Sequence, residues 1–116
     1  MKRGEIYLVE LDPARGSEAN KRRPAVIVSN DGANTTAARL GRGVVTVVPV
    51  TGNIGRIYPF QVFLNAAHTG LAKDSKAQAE QVRSIAVERV TQRVGVVPSA
   101  LLSHIDNALR LHLGLG

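Results

Sequence analysis

RRPAVIVS (residues 22–29) and GVVTVVPVT (residues 43–51), read beside GEIYLVEL (residues 4–11), decide the fold. All three read as strands: Gly4–Leu11, Pro24–Ser29 and Gly43–Thr51. Proline pushes the residue before it into an extended conformation and is tolerated at the first position of a strand. Arg23 therefore belongs at a strand mouth and not in a strand interior. In an up-down-up meander, the finish of strand one, the start of strand two and the finish of strand three lie at the same end. That end collects the loop 12–22, Arg23, Thr51 and the loop Gly52–Tyr58. The connection DPARGSEANKRR (residues 12–23) is too long and too charged for a hairpin turn, which needs about two to five residues. Long loops on a rigid scaffold are where binding groups are carried.

The 116 residues, 44% of them hydrophobic, suffice for one domain with a real core, expected over 1–116. Cysteine is absent, so there is no disulfide framework, no thiolate nucleophile and no sulfur-ligated zinc. No apolar run is long enough to span a bilayer and MKRGEIY lacks a signal-peptide core, so the expectation is a cytoplasmic chain with no membrane partner. A net charge of +6 and a pI near 10.5 point to an acidic partner, either nucleic acid or an acidic protein. Arg15, Lys21, Arg22 and Arg23 cluster in one loop and strand mouth, and the arginine fork holds a phosphate through two hydrogen bonds where lysine offers a point charge.

Beyond the meander, DGANTTAARLGR (residues 31–42) opens on a capping residue, Asp31, and closes with glycine, as a short surface helix does. Phe60–Leu64, Gln78–Ile85 and Val90–Val97 read as further strands. The stretch from Asn65 to Lys76 is turn-rich and receives no assignment. Pro98-Ser99 signals a helix start, after which Leu101, Leu102, Ile105, Ala108, Leu109 and Leu113 form an apolar stripe that stops at Gly114. The economical architecture is β-rich α+β, a compact barrel closed by an amphipathic C-terminal helix.

No metal site or cofactor is expected. His68, His104 and His112 are the only histidines, and ligation needs several converging donors. The same scarcity argues against a Ser-His-Asp triad. Phosphoryl transfer suits the remaining toolkit, because it relies on positioning and charge neutralisation. Arg23 can hold a scissile phosphate, and Thr51 and Ser17 can orient an oxygen. Each has a plainer alternative: Arg23 paired with Glu18 or Glu80, Thr51 as a β-branched strand residue, Ser17 as a turn residue after Gly16. Glu18 and Glu80 are the candidate bases, with a structural ion pair as the competing role.

The ordered set RGEIYLVELDPARGSE (3–18), KRRPAVIVSN (21–30), VVPVT (47–51), YPFQVFL (58–64) and AEQVRSI (79–85) resembles the MazF family of toxin–antitoxin endoribonucleases, also called PemK-like or Kid-like toxins, over essentially the whole chain. The resemblance implies an SH3-like toxin barrel (MazF/Kid/CcdB-like), a homodimer, and metal-independent cleavage of single-stranded RNA at short motifs, with growth inhibition as the result. It also implies a cognate antitoxin whose acidic, flexible tail covers the RNA site and with which the toxin binds DNA. On motif match Arg23 and Thr51 fall on the principal catalytic positions, with Ser17 and Glu18 in the active loop. Glu80, Gln81, Arg83 and Ser84 match a strand implicated in catalysis or RNA contact, and Arg15, Lys21, Arg22, Asn53, Arg56 and Tyr58 complete the expected RNA-binding set. Some branches carry a histidine where Ser17 stands and an arginine where Gln78 stands, so their proton relay does not transfer. Two other functions fit the same fold. One is a gyrase poison, although those relatives rely on a tryptophan-containing C-terminal end and this chain ends LHLGLG; the other is a non-catalytic RNA-binding module.

Overall fold

Val44–Thr51, the third strand (β3), meets three different neighbours along its eight residues, and that sharing shapes the molecule. In the computed structural model, which describes residues 1–116, β1 is Glu5–Glu10 and β2 is Arg22–Ile27. Helix α1 is Asp31–Leu40, and β4 (Gln61–Leu64), α2 (Ala66–Thr69) and β5 (Ser75–Gln78) follow β3. The chain ends with β6 (Arg83–Ala86), β7 (Val90–Val96) and α3 (Ser99–Leu113). The sheet order is β4-β5-β3-β2-β1-β7, with β6 on the flank of β3. All pairings are antiparallel. The expected meander of the first three strands is therefore present, and the sheet curls into an open barrel.

β5 and β6 run along the same edge of β3 but not as one strand, which corrects the expectation of a single strand over Gln78–Ile85. β5 pairs Val50 with Ala77, a register that would bring Glu80 opposite Val47, yet Arg83 stands there. The three-residue offset is a 3-10 turn, Ala79–Gln81, looped out between the two strands. Alternation of side chains carries no mark of such an insertion, because both halves keep period two. The unassigned stretch before it holds α2 and the start of β5. α1 is capped by Asn30, whose side chain accepts from the Ala33 amide at 2.8 Å, and not by Asp31, which accepts from the Arg3 amide at 2.7 Å. A cap of this kind stabilises a helix by about 1 kcal/mol.

The sheet has two faces and a core on each. Ile6, Val26, Val48, Val50 and Leu64 pack beneath Ile105 and Ala108 of α3, with Leu101, Leu102 and Leu109 at the margin. Leu113, expected in the same stripe, is 53% exposed because it occupies the last turn, beyond the sheet. The second core joins Val9, Ala25, Ile27, Val45, Val47 and Ile85 to Ala37 of α1 and to Ala19 from the loop after β1. Arg3 links the two helices: its amide donates to Asp31 of α1 at 2.7 Å, its Nε donates to the Val28 carbonyl at 2.9 Å, and its guanidinium pairs with Asp106 of α3. No helix is long and apolar enough to cross a membrane.

Candidate active site

The loop between β1 and β2 is fastened at its neck and its tip. At the neck the Leu11 amide donates to the Lys21 carbonyl at 3.0 Å, and the Lys21 amide donates to Asp12 Oδ1 at 2.9 Å. Lys21 adopts the left-handed region there, φ +64°, which few residues other than glycine, asparagine and aspartate accept readily. Arg89 donates from one Nη to the Glu10 and Asp12 carbonyls, at 3.0 and 2.6 Å. At the tip Gln81, in the 3-10 turn, uses both ends of its amide: Oε1 accepts from the Ala19 amide and Nε2 donates to the Ser17 carbonyl, each at 2.9 Å. The three-residue offset between β5 and β6 is thus what presents Gln81 to the loop.

Arg23 is the second residue of β2, paired with Val9. Its Nε donates to the Asn20 carbonyl at 2.8 Å and one Nη to Asn20 Oδ1 at 3.1 Å. The alternative of pairing with Glu18 or Glu80 is not what the structure holds. The chain's ion pairs are Arg3–Asp106, Arg93–Glu5 and the N-terminus with Glu5, so the charge of Arg23 is oriented by amide oxygens without being neutralised. Thr51 closes β3. The β2–β3 ladder ends at Ala25–Pro49, and its register carried two residues further sets Thr51 level with Arg23 at the same strand end. Thr51 Oγ1 accepts from the Asn53 amide at 3.2 Å, which leaves the hydroxyl proton to be donated elsewhere.

Alternation places these groups on one face. Val26, Val48, Val50 and Ala77 belong to the core under α3, so Arg23, Thr51 and Lys76 project to the opposite side, as does Arg83 opposite Val47. Glu18, Glu80, Gln81, Val82 and Arg83 line a cleft of about 340 Å³ on that side. Gln61 anchors Glu80 by donating to its Oε2 at 2.6 Å while accepting from the Tyr58 amide at 3.1 Å. Three buried polar atoms have no partner, Gln78 Oε1, Glu80 Oε1 and Arg83 Nη1, and all lie within residues 78–83. Folded proteins leave few such atoms, so their concentration beside one cleft marks the segment.

The Gly52–Phe60 segment follows Thr51 at the same strand end. Tyr58 stacks on Phe60 with centroids 5.4 Å apart and planes 1° apart, and the Arg56 guanidinium lies 4.7 Å from the Tyr58 ring centre. Beneath it Lys76 donates to the Arg56 carbonyl at 2.6 Å. A Cβ on Gly52 would collide with the Lys73 side chain, which crosses the start of the loop.

Of the residues singled out in the sequence, Glu18, Glu80, Gln81 and Arg83 meet in the cleft, and Arg23 and Thr51 share its end of the barrel. Arg56 and Tyr58 touch each other, while Asn53 turns back on Thr51 and on the Gly55 amide. Arg15, Ser17, Lys21 and Arg22 are exposed on the loop and strand start. Ser84 stands apart, its hydroxyl 2.9 Å from that of Thr46 near the opposite end of β3. Sequence reasoning missed Asn20, Gln61 and Lys76. Asn20 and Gln61 carry no local signal, and Lys76 lies in the stretch left unassigned. No three histidine or carboxylate side chains converge to form a metal site. Burial, helped by Glu5, pushes the Tyr7 phenol above its ordinary value, with Arg93 opposing, but Tyr7 does not line the cleft.

The structure is an open antiparallel barrel with an unneutralised arginine at one strand end and, on the same side of the sheet, a cleft lined by Glu18, Glu80, Gln81 and Arg83. The chain belongs to the family described as PemK-like, MazF-like toxin of type II toxin–antitoxin system, whose model matches residues 2–113. It is 66% identical over 115 residues to endoribonuclease MazF9 of Mycobacterium tuberculosis, covering 99% of this chain and 98% of that protein. The crystal structure of MazF from Deinococcus radiodurans superposes with a TM-score of 0.80 at 25% identity, covering 98% of this chain and 96% of that one. A mycobacterial endoribonuclease in complex with its cognate antitoxin shares the fold, with a TM-score of 0.76 at 24% identity and coverage of 100% and 97%.

Proposed function

We infer that this chain is the toxin of a type II toxin–antitoxin pair and acts as an endoribonuclease, cutting single-stranded RNA at short sequence motifs without a metal ion and so arresting translation and growth. The observation that carries the chemistry is Arg23: a guanidinium fixed by two bonds to Asn20, free of any carboxylate, at the end of the barrel where Thr51 also lies. A guanidinium in that state can take a phosphate oxygen bidentately and hold the charge that grows on it in the transition state. The nucleophile is the 2′-hydroxyl of the nucleotide 5′ of the cut, since the substrate already carries it next to the phosphate. Proximity of that kind lowers a barrier by roughly 7 to 11 kcal/mol in well-aligned systems, which leaves the protein to align, deprotonate and neutralise. Thr51 orients an oxygen through its free hydroxyl proton. Glu80, with one oxygen anchored by Gln61 and the other without a partner, is the better supported of the two candidate bases, because Glu18 is exposed on the loop.

The working form is a cytoplasmic homodimer of a single domain, 1–116, held inactive by a cognate antitoxin whose acidic tail competes for the same cationic mouth and with which the toxin binds DNA. Support for the tail comes from charge: Arg15, Lys21, Arg22 and Arg23 carry no ion pair, and the chain has a net charge of +6. The test is to incubate the purified protein with a defined single-stranded RNA in EDTA, map the product ends, and run a gyrase supercoiling assay alongside. Cut RNA with a 5′-hydroxyl on the downstream fragment is expected. Intact RNA with inhibited gyrase would support the gyrase-poison alternative, and bound but uncut RNA the non-catalytic one.

A further inference from the structure

Gln61 opens β4 with only 8% of its surface exposed, and both ends of its amide are engaged. Oε1 accepts from the Tyr58 amide at 3.1 Å, and Nε2 donates to Glu80 Oε2 at 2.6 Å. A backbone N–H can only donate, so the Tyr58 amide decides which end of the side chain faces it and leaves the NH2 end for Glu80. The Gln61 backbone answers by donating to the Tyr58 carbonyl at 2.9 Å, so Tyr58 holds Gln61 through two bonds. The Glu80 oxygen that faces Gln61 is thereby confined to accepting. Its other oxygen, Oε1, is buried without a partner, and so is Arg83 Nη1. Both residues line the same cleft, yet they form no ion pair. Buried polar atoms left unpaired cost about 1 to 3 kcal/mol each, so an acceptor and a donor kept open in one cleft are not there for stability.

We propose that Gln61 is a positioning residue for the cleavage step: it holds the Glu80 carboxylate as an acceptor and clear of Arg83, so that Oε1 stays open to take the proton of the attacking 2′-hydroxyl. The proposal rests on the RNA-cutting function, and on Glu80 as its base, argued above. The 2′-oxygen bonds to phosphorus and the bond to the 5′-oxygen breaks. That leaving oxygen collects a proton from solvent, to which Glu80 returns the one it took. Gln61 touches no RNA in this role and acts through Glu80 alone, as the only side chain hydrogen-bonded to it. Released from Gln61, the carboxylate is free to turn on Arg83, and an ion-paired carboxylate is a weaker base. The remaining charged group in the cleft, Glu18, has the same sign and cannot anchor it.

The experiment uses the full chain and an RNA oligonucleotide containing the mapped cleavage motif, cut under single-turnover conditions. The same oligonucleotide with a 2′-deoxy sugar 5′ of the cut reports binding. Gln61→Met, of similar length and without donor or acceptor, should slow cleavage by about tenfold to a hundredfold, the size of a misplaced catalytic group, while binding changes far less. Glu80→Gln alone should cost about a hundredfold or more, and adding Gln61→Met to it should cost no further rate, because nothing is left to position. Gln61→Glu separates positioning from loop packing. Its carboxyl still accepts from the Tyr58 amide, so exchange of that amide stays slow, but it meets Glu80 with a second negative charge or a proton lodged between them. Cleavage should therefore fall as far as in Gln61→Met. Equal rate losses from Gln61→Met with and without Glu80, or a Gln61→Glu that keeps both the protected amide and the wild-type rate, overturn the proposal. Should Gln61→Met fail to fold, Gln61→Glu, which keeps the loop contact, decides. A wild-type rate in Glu80→Gln would defeat the base assignment and this proposal with it, and absence of any RNA cleavage by wild type would defeat the RNA-cutting function itself. A slow Glu80→Gln beside a fast Gln61→Met defeats only the positioning role.

Discussion

On the face of the sheet beneath α3, the residues Ile6, Val26, Val48 and Val50 stay apolar from one side of the barrel to the other and are sealed by Ile105 and Ala108. On the opposite face the same alternation begins with Val9, Ala25, Ile27 and Val47, and at the strand ends it gives way to Arg23, Thr51, Lys76 and Arg83. No helix covers those ends. They are framed by a loop pinned through Gln81 and by the aromatic loop before β4, and the unpartnered buried polar atoms sit there. The contrast teaches where this fold spends its apolar surface: one face supplies stability throughout, and the other supplies it only until the strand ends, where polar groups are held ready for an acidic ligand.

That division can be broken residue by residue. Arg23→Ala should lower the cleavage rate by about a hundredfold to a thousandfold with little change in melting temperature, since the guanidinium bonds only to Asn20 on the exposed loop. Arg23→Lys should be nearly as poor, because a point charge does not reproduce the fork. Near-normal rates in folded Arg23→Ala would remove it from the mechanism. Ile105→Ala is the mirror case: the side chain is fully buried, so stability in urea should fall by about 2 to 5 kcal/mol while the cleavage rate per folded molecule is unchanged. A large rate loss there would mean that the faces are coupled. Gln81→Leu removes two hydrogen bonds from the loop tip, each with a net worth of about 1 kcal/mol, so exchange of the Ala19 amide should accelerate by roughly tenfold and the KM for RNA should rise. Unaltered exchange would show that the loop is held by other means. The smallest effect belongs to Ser84→Ala, which loses the contact with Thr46 and should change stability by about 1 kcal/mol or less and cleavage hardly at all. A clear fall in cleavage would instead return Ser84 to the RNA path, where the family resemblance sets it.

The meander and the terminal helix were legible because their evidence is local: Val and Ile runs mark strands, Pro24 lies two residues inside the strand it was expected to open, which starts at Arg22, and Gly114 takes the left-handed conformation, φ +69°, that ends α3. Convergence of Arg23 and Thr51 followed from strand order alone. What stayed hidden depends on register and on long-range hydrogen bonds. The looped-out Ala79–Gln81 leaves no trace in period-two patterning, yet it decides that Gln81 reaches a loop 62 residues earlier in the chain. Lys76 gave no signal, because a lysine between Ser75 and Ala77 resembles any solvent-facing strand residue until the Gly52–Phe60 loop is folded over it. Asn20, which orients Arg23, sits in a charged loop whose shape no pattern dictates.

The central claim is that the open face neutralises and aligns while the RNA supplies its own nucleophile. It is tested most directly by an oligonucleotide with one 2′-deoxy sugar immediately 5′ of the cut phosphate, assayed in EDTA beside the all-RNA control. The control should be cut to a 2′,3′-cyclic or 3′ phosphate and a free 5′-hydroxyl, and the deoxy substrate should bind but remain intact. Cleavage of the deoxy substrate at the same bond, or loss of control cleavage in EDTA, would contradict the account and require an activated water in place of the 2′-hydroxyl.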